Sequence, residues 1–232
     1  MCFSAAASFA SAALLLPLGI TAVVHTVRSR RPDLLPLALM PVGFGLQQAL
    51  EGVVWLGLRV PGLEPYVRVA AQAYLFFALA FWPSWIPFVA LSLWPPEQRL
   101  ALRPLLWLLQ GVGLVLGIGL WLPLLVEPAR LDPSVMKGSI DYGLNLLLNG
   151  GVAESIRYLY AAVICLPLLL LPSKGWRAFG VALLLGGIGA DWFYRYAFVS
   201  VWCYFSALLS LLIVWRVCRS NSFLLSPPPA SS

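Results

Sequence analysis

Seven runs of mainly apolar residues, each about the length of a membrane crossing, dominate this sequence. A helix needs about 20 apolar residues to cross the hydrocarbon core of a bilayer. By that measure, the predicted spans are residues 8–27, 34–58, 69–94, 104–126, 152–171, 176–196 and 199–217. The sequence therefore predicts an all-α fold, a polytopic bundle of about seven transmembrane helices.

The composition leaves little material for a water-soluble surface. Of the 232 residues, 61% are hydrophobic and 10% are charged, whereas a soluble domain carries roughly a quarter charged residues. No polar segment is long enough to fold separately, so we expect one transmembrane domain over residues 1–221. Residues 222–232 are rich in Pro and Ser and predict a disordered cytoplasmic tail. No Lys or Arg precedes the first apolar run, and we expect that helix to be retained rather than removed as a signal.

The basic residues are distributed unevenly between the two sides of the predicted bundle. With the N-terminus outside, the inside segments hold nine bases against two acids, and the outside segments hold six of each. Because excess Lys and Arg marks cytoplasmic loops, this predicts an outside N-terminus and a cytoplasmic C-terminus in the inner (plasma) membrane. The net charge of +6 then reflects topology, and nucleic acid is not an expected partner. Membrane lipids are expected partners, and a homo-oligomer or a membrane-complex partner is left open.

A polar stripe interrupts the second span. Spacings of three and four residues place Gln47 or Gln48, Glu51 and Trp55 on one helix face. An ionisable group at that depth costs several kcal/mol unless it is paired, hydrated or protonated, so Glu51 should face protein. Its expected hydrogen-bond partners are the glutamines, Tyr74 or Ser206. The structural alternative is a protonated Glu51 that only ties neighbouring helices together.

Two cysteines are expected at similar depths near the outer side. Cys2 precedes the first helix, and Cys203 lies near the start of the seventh on a stripe with Ser200, Ser206 and Ser210. If they meet, they could form a disulfide, bind a metal with Glu51, or include a reactive thiol. The alternative is two unrelated cysteines that pack as small apolar residues. The chain has no CxxC motif and only one histidine, which disfavours structural zinc and multi-histidine centres and leaves any cofactor unknown.

Several other features are typical of helix packing. Small residues at the start of the first span (Ser4, Ser8, Ser11), in the fourth (Gly113, Gly117) and in the sixth (Gly186, Gly187, Gly189) predict close helix approach. Pro83 and Pro87 predict a kink in the third span. Asp191 and Arg195, four residues apart, predict an interfacial ion pair. In the long loop 127–151, an amphipathic stretch over 140–148 should lie on the membrane surface or cap the bundle.

Short motifs at both ends of the chain resemble one known family. These are Met1-Cys2-Phe3-Ser4-Ala5 with Ser8 and Phe9, then Gln47-Gln48, Glu51-Gly52 and Val54-Trp55, and finally Ser200-Val201-Trp202-Cys203. Together they resemble a bacterial family of multi-pass membrane proteins of unknown function. The resemblance implies a membrane protein but no catalytic assignment.

The functional interpretation is a membrane protein with a polar pocket in its outer half. Its ligand-binding candidates are Gln47, Gln48, Glu51, Trp55, Tyr74 and Ser206, and its metal or thiol candidates are Cys2 and Cys203. The pocket could hold a metal, perform thiol-redox chemistry or bind a small amphiphile, and whether the chain is an enzyme is left open. The alternatives are a non-catalytic scaffold or accessory subunit, and a small-solute or ion transporter.

Overall fold

The computed structural model describes residues 4–94, 102–144 and 151–219. The predictions about Cys2 and about the tail 222–232 concern residues outside these ranges. The described helices are α1 Ala5–Arg28, α2 Leu35–Ala38, α3 Met40–Gly57, α4 Glu64–Leu75, α5 Trp82–Ser92, α6 Arg103–Val126, α7 Gly151–Leu170, α8 Lys174–Phe193, α9 Phe198–Leu209 and α10 Leu211–Arg219. Two short strands, β1 Ser134–Met136 and β2 Ser139–Asp141, lie between α6 and α7.

The helices combine into seven long helical segments over the described residues. Three are composite, because α2 continues into α3, α4 continues into α5, and α9 continues into α10. Five are long and apolar enough to cross a membrane, namely Ala5–Arg28, Pro32–Gly57, Glu64–Ser92, Arg103–Val126 and Arg195–Arg219. The predicted all-α bundle of seven helices is therefore confirmed as a helical architecture.

Local sequence signals explain where the helices begin. Ser4 caps α1, and its hydroxyl accepts a hydrogen bond from the Ala7 amide at 3.2 Å. Pro41, Pro65 and Pro104 occupy the first turns of α3, α4 and α6. Proline is tolerated there because the amide that it lacks would have no partner within the helix.

The predicted kink in the third segment takes the form of a π-helical stretch, Phe76–Phe81, directly before α5. Proline removes an amide donor and crowds the preceding turn, which explains why the irregularity lies just before Pro83. Helix α6 covers this backbone, because a Cβ added at Gly117 would lie 2.9 Å from Ala80 Cα, and one at Gly113 would meet the Pro83 carbonyl. The predicted packing role of these glycines is confirmed.

Two other glycine-rich contacts hold the bundle together. In α8, Gly186 and Gly187 lie against aromatic rings of α9, while Gly189 faces open space and its predicted packing role is wrong. Between α1 and α3, a Cβ added at Gly45 would lie 2.9 Å from Leu16 and one at Gly52 would lie 2.7 Å from Phe9. The helix that carries the polar stripe is thus held closely against α1.

A β-hairpin covers one end of the bundle, hereafter the hairpin end. The strands are antiparallel with Val135 opposite Ile140, and the turn residues Lys137 and Gly138 both have positive φ. Two consecutive residues with positive φ are typical of a type I′ turn, whose backbone twist matches that of the two flanking strands. Ile140 of β2 and the nearby Tyr142 are buried against the helices, so the described part of the amphipathic stretch, up to residue 144, caps the bundle. Residues 145–148 lie outside the described part of the chain.

Candidate functional site

Three helices bring polar side chains to one buried point near the hairpin end, hereafter the Glu51 cluster (Ser8, Gln47, Gln48, Glu51 and Ser200). The Glu51 side chain is 1% exposed and therefore faces protein, as the sequence predicts. Its Oε1 accepts a hydrogen bond from Ser200 Oγ at 2.5 Å, and its Oε2 accepts one from Gln48 Nε2 at 3.2 Å. Ser8 of α1 also lies close to the carboxyl group. The hydrogen bonds of the carboxyl group therefore link α3 and α9, with α1 packed beside them.

The glutamines extend the cluster toward the middle of the bundle. Trp82 donates its indole N–H to Gln47 Oε1 at 2.7 Å and stacks on Phe44. Because an indole can only donate, this bond fixes the orientation of the Gln47 amide. Gln47 Nε2 and Gln48 Oε1 are buried without a hydrogen-bond partner among the described residues. Each such atom costs about 1–3 kcal/mol unless something bonds to it, so the cluster has unused capacity for a ligand or water.

Tyr74 and Ser206 lie near this cluster but do not bond to Glu51, contrary to the expectation. Ser206 Oγ donates to the Trp202 carbonyl of its own helix at 2.7 Å, and Tyr74 hydroxyl donates to the Val199 carbonyl at 3.5 Å. For Ser206 the reason is helix geometry. It lies nearly two turns beyond Ser200 on α9, and Ser200 is the residue that reaches the carboxyl group.

Trp55 is fully buried, one turn beyond Glu51, at the hairpin end of α3. Its indole N–H has no hydrogen-bond partner among the described residues, and the Arg59 guanidinium lies 4.6 Å from its ring centroid. The predicted stripe from the glutamines to Trp55 is therefore buried along its length. Its role in binding a ligand stays a prediction.

Cys203 is 7% exposed and lies beside Gln47 and Tyr74, close to Glu51. It is a free thiol in the described part of the chain, and its pairing with Cys2 stays a prediction. Within residues 4–94, 102–144 and 151–219, no group of three His, Cys, Asp or Glu side chains is placed to hold a metal ion. A metal at Glu51 and Cys203 would therefore need a ligand from outside these ranges, such as Cys2.

A cavity of about 190 Å³ opens beside the Glu51 cluster at the hairpin end. Leu79, Leu120, Ile140, Leu144, Ile156 and Phe198 are among its apolar wall residues. Ser200 also lines this cavity while its hydroxyl bonds to Glu51. Ser200 is itself fully buried and therefore lies between the cavity and the buried carboxyl group.

Charged side chains surround the same cavity. Arg130, Arg157 and Arg195 line it together with Asp141. Arg157 Nη1 bonds to Asp191 at 2.6 Å, and Arg195 pairs with Glu154. The predicted ion pair between Asp191 and Arg195 is therefore wrong. Helix α8 ends at Phe193, so the helical spacing that the prediction assumed does not extend to Arg195.

Tyr142 closes the cavity from the hairpin side. It is 3% exposed and stacks on Tyr74 with ring centroids 4.9 Å apart. Burial raises the pKa of Tyr142 well above its ordinary value, so its hydroxyl stays a neutral donor at physiological pH. That hydroxyl has no hydrogen-bond partner among the described residues. It adds a neutral polar atom beside the apolar and charged residues of the wall.

Sequence reasoning missed several members of this site. Ser200 was visible as part of the polar stripe of the seventh span, and Ser8 was expected only as a packing residue. Tyr142, Arg130 and Arg157 carry no signal of their own, and Arg195 is predicted only as a partner of Asp191, because the loop and helices α7 and α8 bring these residues together only in three dimensions.

One protein-family model matches residues 1–225, and its description is "Family of unknown function (DUF6629)". No curated protein and no solved structure matches the chain. The family match covers nearly the whole sequence, including both helices that supply the Glu51 hydrogen bonds. The chain therefore belongs to the Family of unknown function (DUF6629).

Proposed function

We propose that this protein is an integral membrane protein whose hairpin-end cavity binds a small amphiphile. The observation that carries the proposal is the connection through Ser200, which lines an apolar cavity and bonds to a buried carboxyl group. Apolar walls with a few convergent polar groups are the usual character of small-molecule sites. The unpartnered hydroxyl of Tyr142, which lines the cavity, supports it further.

Membrane insertion is supported by the five long apolar segments and by the side chains that they leave uncovered. Large apolar side chains such as Val115, Val126 and Trp192 are 74%, 70% and 81% exposed. Soluble proteins rarely expose extended apolar surface of this kind. With the charge distribution of the loops, this favours a plasma-membrane protein with the hairpin end outside and the C-terminus cytoplasmic.

The cavity size restricts what can enter it. Pockets that enclose drug-sized ligands measure roughly 300–1,000 Å³. A cavity of about 190 Å³ would hold a head group with a short tail, or one end of a longer molecule that extends beyond it. An amphiphile matches both the apolar walls and the charged groups around them.

Photolabelling of the purified protein with two decyl probes tests this proposal. Both carry a photoreactive group on the chain, and one has a phosphate head while the other has a neutral sugar head. We expect at least one probe to label peptides that line the cavity. Gly119 lines it and has open space at its Cβ position, so Gly119→Leu should fill the cavity and abolish that labelling.

Gly111→Leu is the matched control. Gly111 lies in the same helix, also has open space at its Cβ position, and does not line the cavity, so labelling should persist. Failure of both probes to label the cavity, or equal labelling in the two variants, would overturn the amphiphile proposal. The scaffold and accessory-subunit alternatives would then be preferred.

A further inference from the structure

We infer that the amphiphile of this cavity is an acid whose phosphate or carboxylate head binds the Arg157 and Arg195 guanidinium groups. The inference rests on the proposed function and adds the chemical class of the ligand. Its basis is a group of three arginines that line a largely apolar cavity. Each arginine is held in place by an acid that does not itself line the cavity.

The charges that line the cavity are mainly positive. Three arginines line it, and Asp141 is the only acid among its described lining residues. Asp141 Oδ1 already accepts a hydrogen bond from the Gly143 amide at 2.8 Å. In addition, the Lys137 ammonium lies 5.8 Å from the ring centroid of Tyr196, another lining residue. Each of the three arginines is paired with an acid that does not line the cavity, namely Glu127, Asp191 or Glu154.

The ion pairs position the arginines without using all their donors. A guanidinium has five N–H donors. Among the described residues, Arg157 uses Nη1 on Asp191, and Arg195 uses Nη2 on Glu154. Neither acid lines the cavity. Both arginines can therefore bind a ligand oxygen without losing their present partners, and a guanidinium fork is suited to two-point contact with a phosphate or carboxylate.

Burial of Arg157 makes such a contact stronger than one at an open surface. The Arg157 side chain is 17% exposed, and its guanidinium lies 5.8 Å from the Phe198 ring centroid, another lining residue. Charge pairs in a partly desolvated site are less screened by water and salt than exposed pairs. The apolar wall beside it accommodates the first carbons of a tail, which an inorganic anion lacks.

Competition between ligands tests the head group. Unlabelled decyl phosphate, decanoate, decyl glucoside, decyltrimethylammonium and inorganic phosphate would each compete with the photoreactive decyl phosphate probe. We expect the two acids to compete at least about tenfold more strongly than the neutral or cationic amphiphiles, because one charge-assisted contact corresponds to about that ratio. Inorganic phosphate should compete weakly, since it lacks the tail.

Variants of the arginines test the recognition itself. Arg157→Gln should weaken decyl phosphate binding by about tenfold and leave decyl glucoside binding unchanged. Arg157→Lys keeps the charge opposite Asp191 but lacks the fork, and serves if the glutamine variant does not fold. Arg195→Gln gives a second, more exposed position, and Arg177→Gln in α8, which does not line the cavity, is the control.

The outcomes separate this inference from the proposed function. Cavity labelling by both probes with equal competition by acidic and neutral amphiphiles would overturn the acid-head inference and leave the amphiphile site standing. Strong competition by inorganic phosphate alone would show a free-anion site and would also overturn it. Absence of cavity labelling by either probe would remove both proposals.

Discussion

Glu51 illustrates how far a single residue can be interpreted from sequence. Its placement in an apolar span predicts burial against protein, because an ionisable side chain in lipid is costly. The structure confirms that burial and the contact with Gln48. The contact with Ser200 could not be derived, since 149 residues separate the two and periodicity does not fix which helices are neighbours.

At this residue we predict that Glu51→Leu lowers the free energy of unfolding by about 1–3 kcal/mol, because Ser200 and Gln48 lose a buried acceptor. Glu51→Gln keeps an acceptor oxygen and should cost less. Thermal unfolding in a mild detergent, followed by circular dichroism, measures both. Equal stability of the leucine variant and the native protein would show that the carboxyl group stabilises nothing.

Three serines, two within α9 and one at its C-terminal end, allow a comparison of a hydrogen bond between helices with hydrogen bonds inside one helix. Ser200→Ala should destabilise the protein by about 1–3 kcal/mol, because Glu51 Oε1 then loses its donor inside the bundle. Ser206→Ala and Ser210→Ala remove bonds only to carbonyls of their own helix, at 2.7 Å and 2.6 Å, and should cost less. The same unfolding measurement decides it. A larger loss in Ser206→Ala than in Ser200→Ala would contradict the assigned contact.

Among the elements, the long helices were predictable and the irregular ones were not. The apolar runs predict most helix ends to within three residues, because the length of an apolar run is a local property. The exception is α4, which begins at Glu64, five residues before the predicted 69. The prolines also indicated an irregular third segment, but its π-helical form depends on how α6 packs over it. The hairpin was missed, since its three-residue strands are too short to show an alternating pattern.

For the contact between α5 and α6 we predict that Gly113→Ala is strongly destabilising. The added methyl group would collide with the Pro83 carbonyl, a backbone atom that cannot rotate away. A cost of about 1–3 kcal/mol is expected for overpacking of this kind. Gly111→Ala, two residues earlier with open space at its Cβ position, is the control and should be neutral or slightly stabilising. Similar unfolding midpoints for the two variants would show that the helices do not approach closely at Gly113.

At the scale of the whole molecule, the sequence predicts which end of the bundle a residue lies near better than it predicts which helices are in contact. Sequence reasoning expects Glu51, Tyr74 and Cys203 in one polar pocket of the outer half, and all three lie near the hairpin end of the structure. It did not find the cavity, because the cavity walls come from α6, α7, α9 and the hairpin together. A concave surface made by four distant segments has no counterpart in any local pattern.

The orientation of the whole bundle is the last prediction. The loop that carries the hairpin should lie outside, because its bases are balanced by acids, whereas the segments at the other end of the helices carry a basic excess. A cysteine placed at the exposed Asp132 should react in intact cells with a membrane-impermeant maleimide, and one at Arg30 should react only after the cells are broken. Both single-cysteine variants are made in a Cys2→Ser, Cys218→Ser background, which also supplies the blank, because Cys165 and Cys203 are buried whereas Cys218 is only partly buried. Reaction at Asp132 only in broken cells would reverse the topology, place the cavity on the cytoplasmic side, and require its acidic ligand to come from that side.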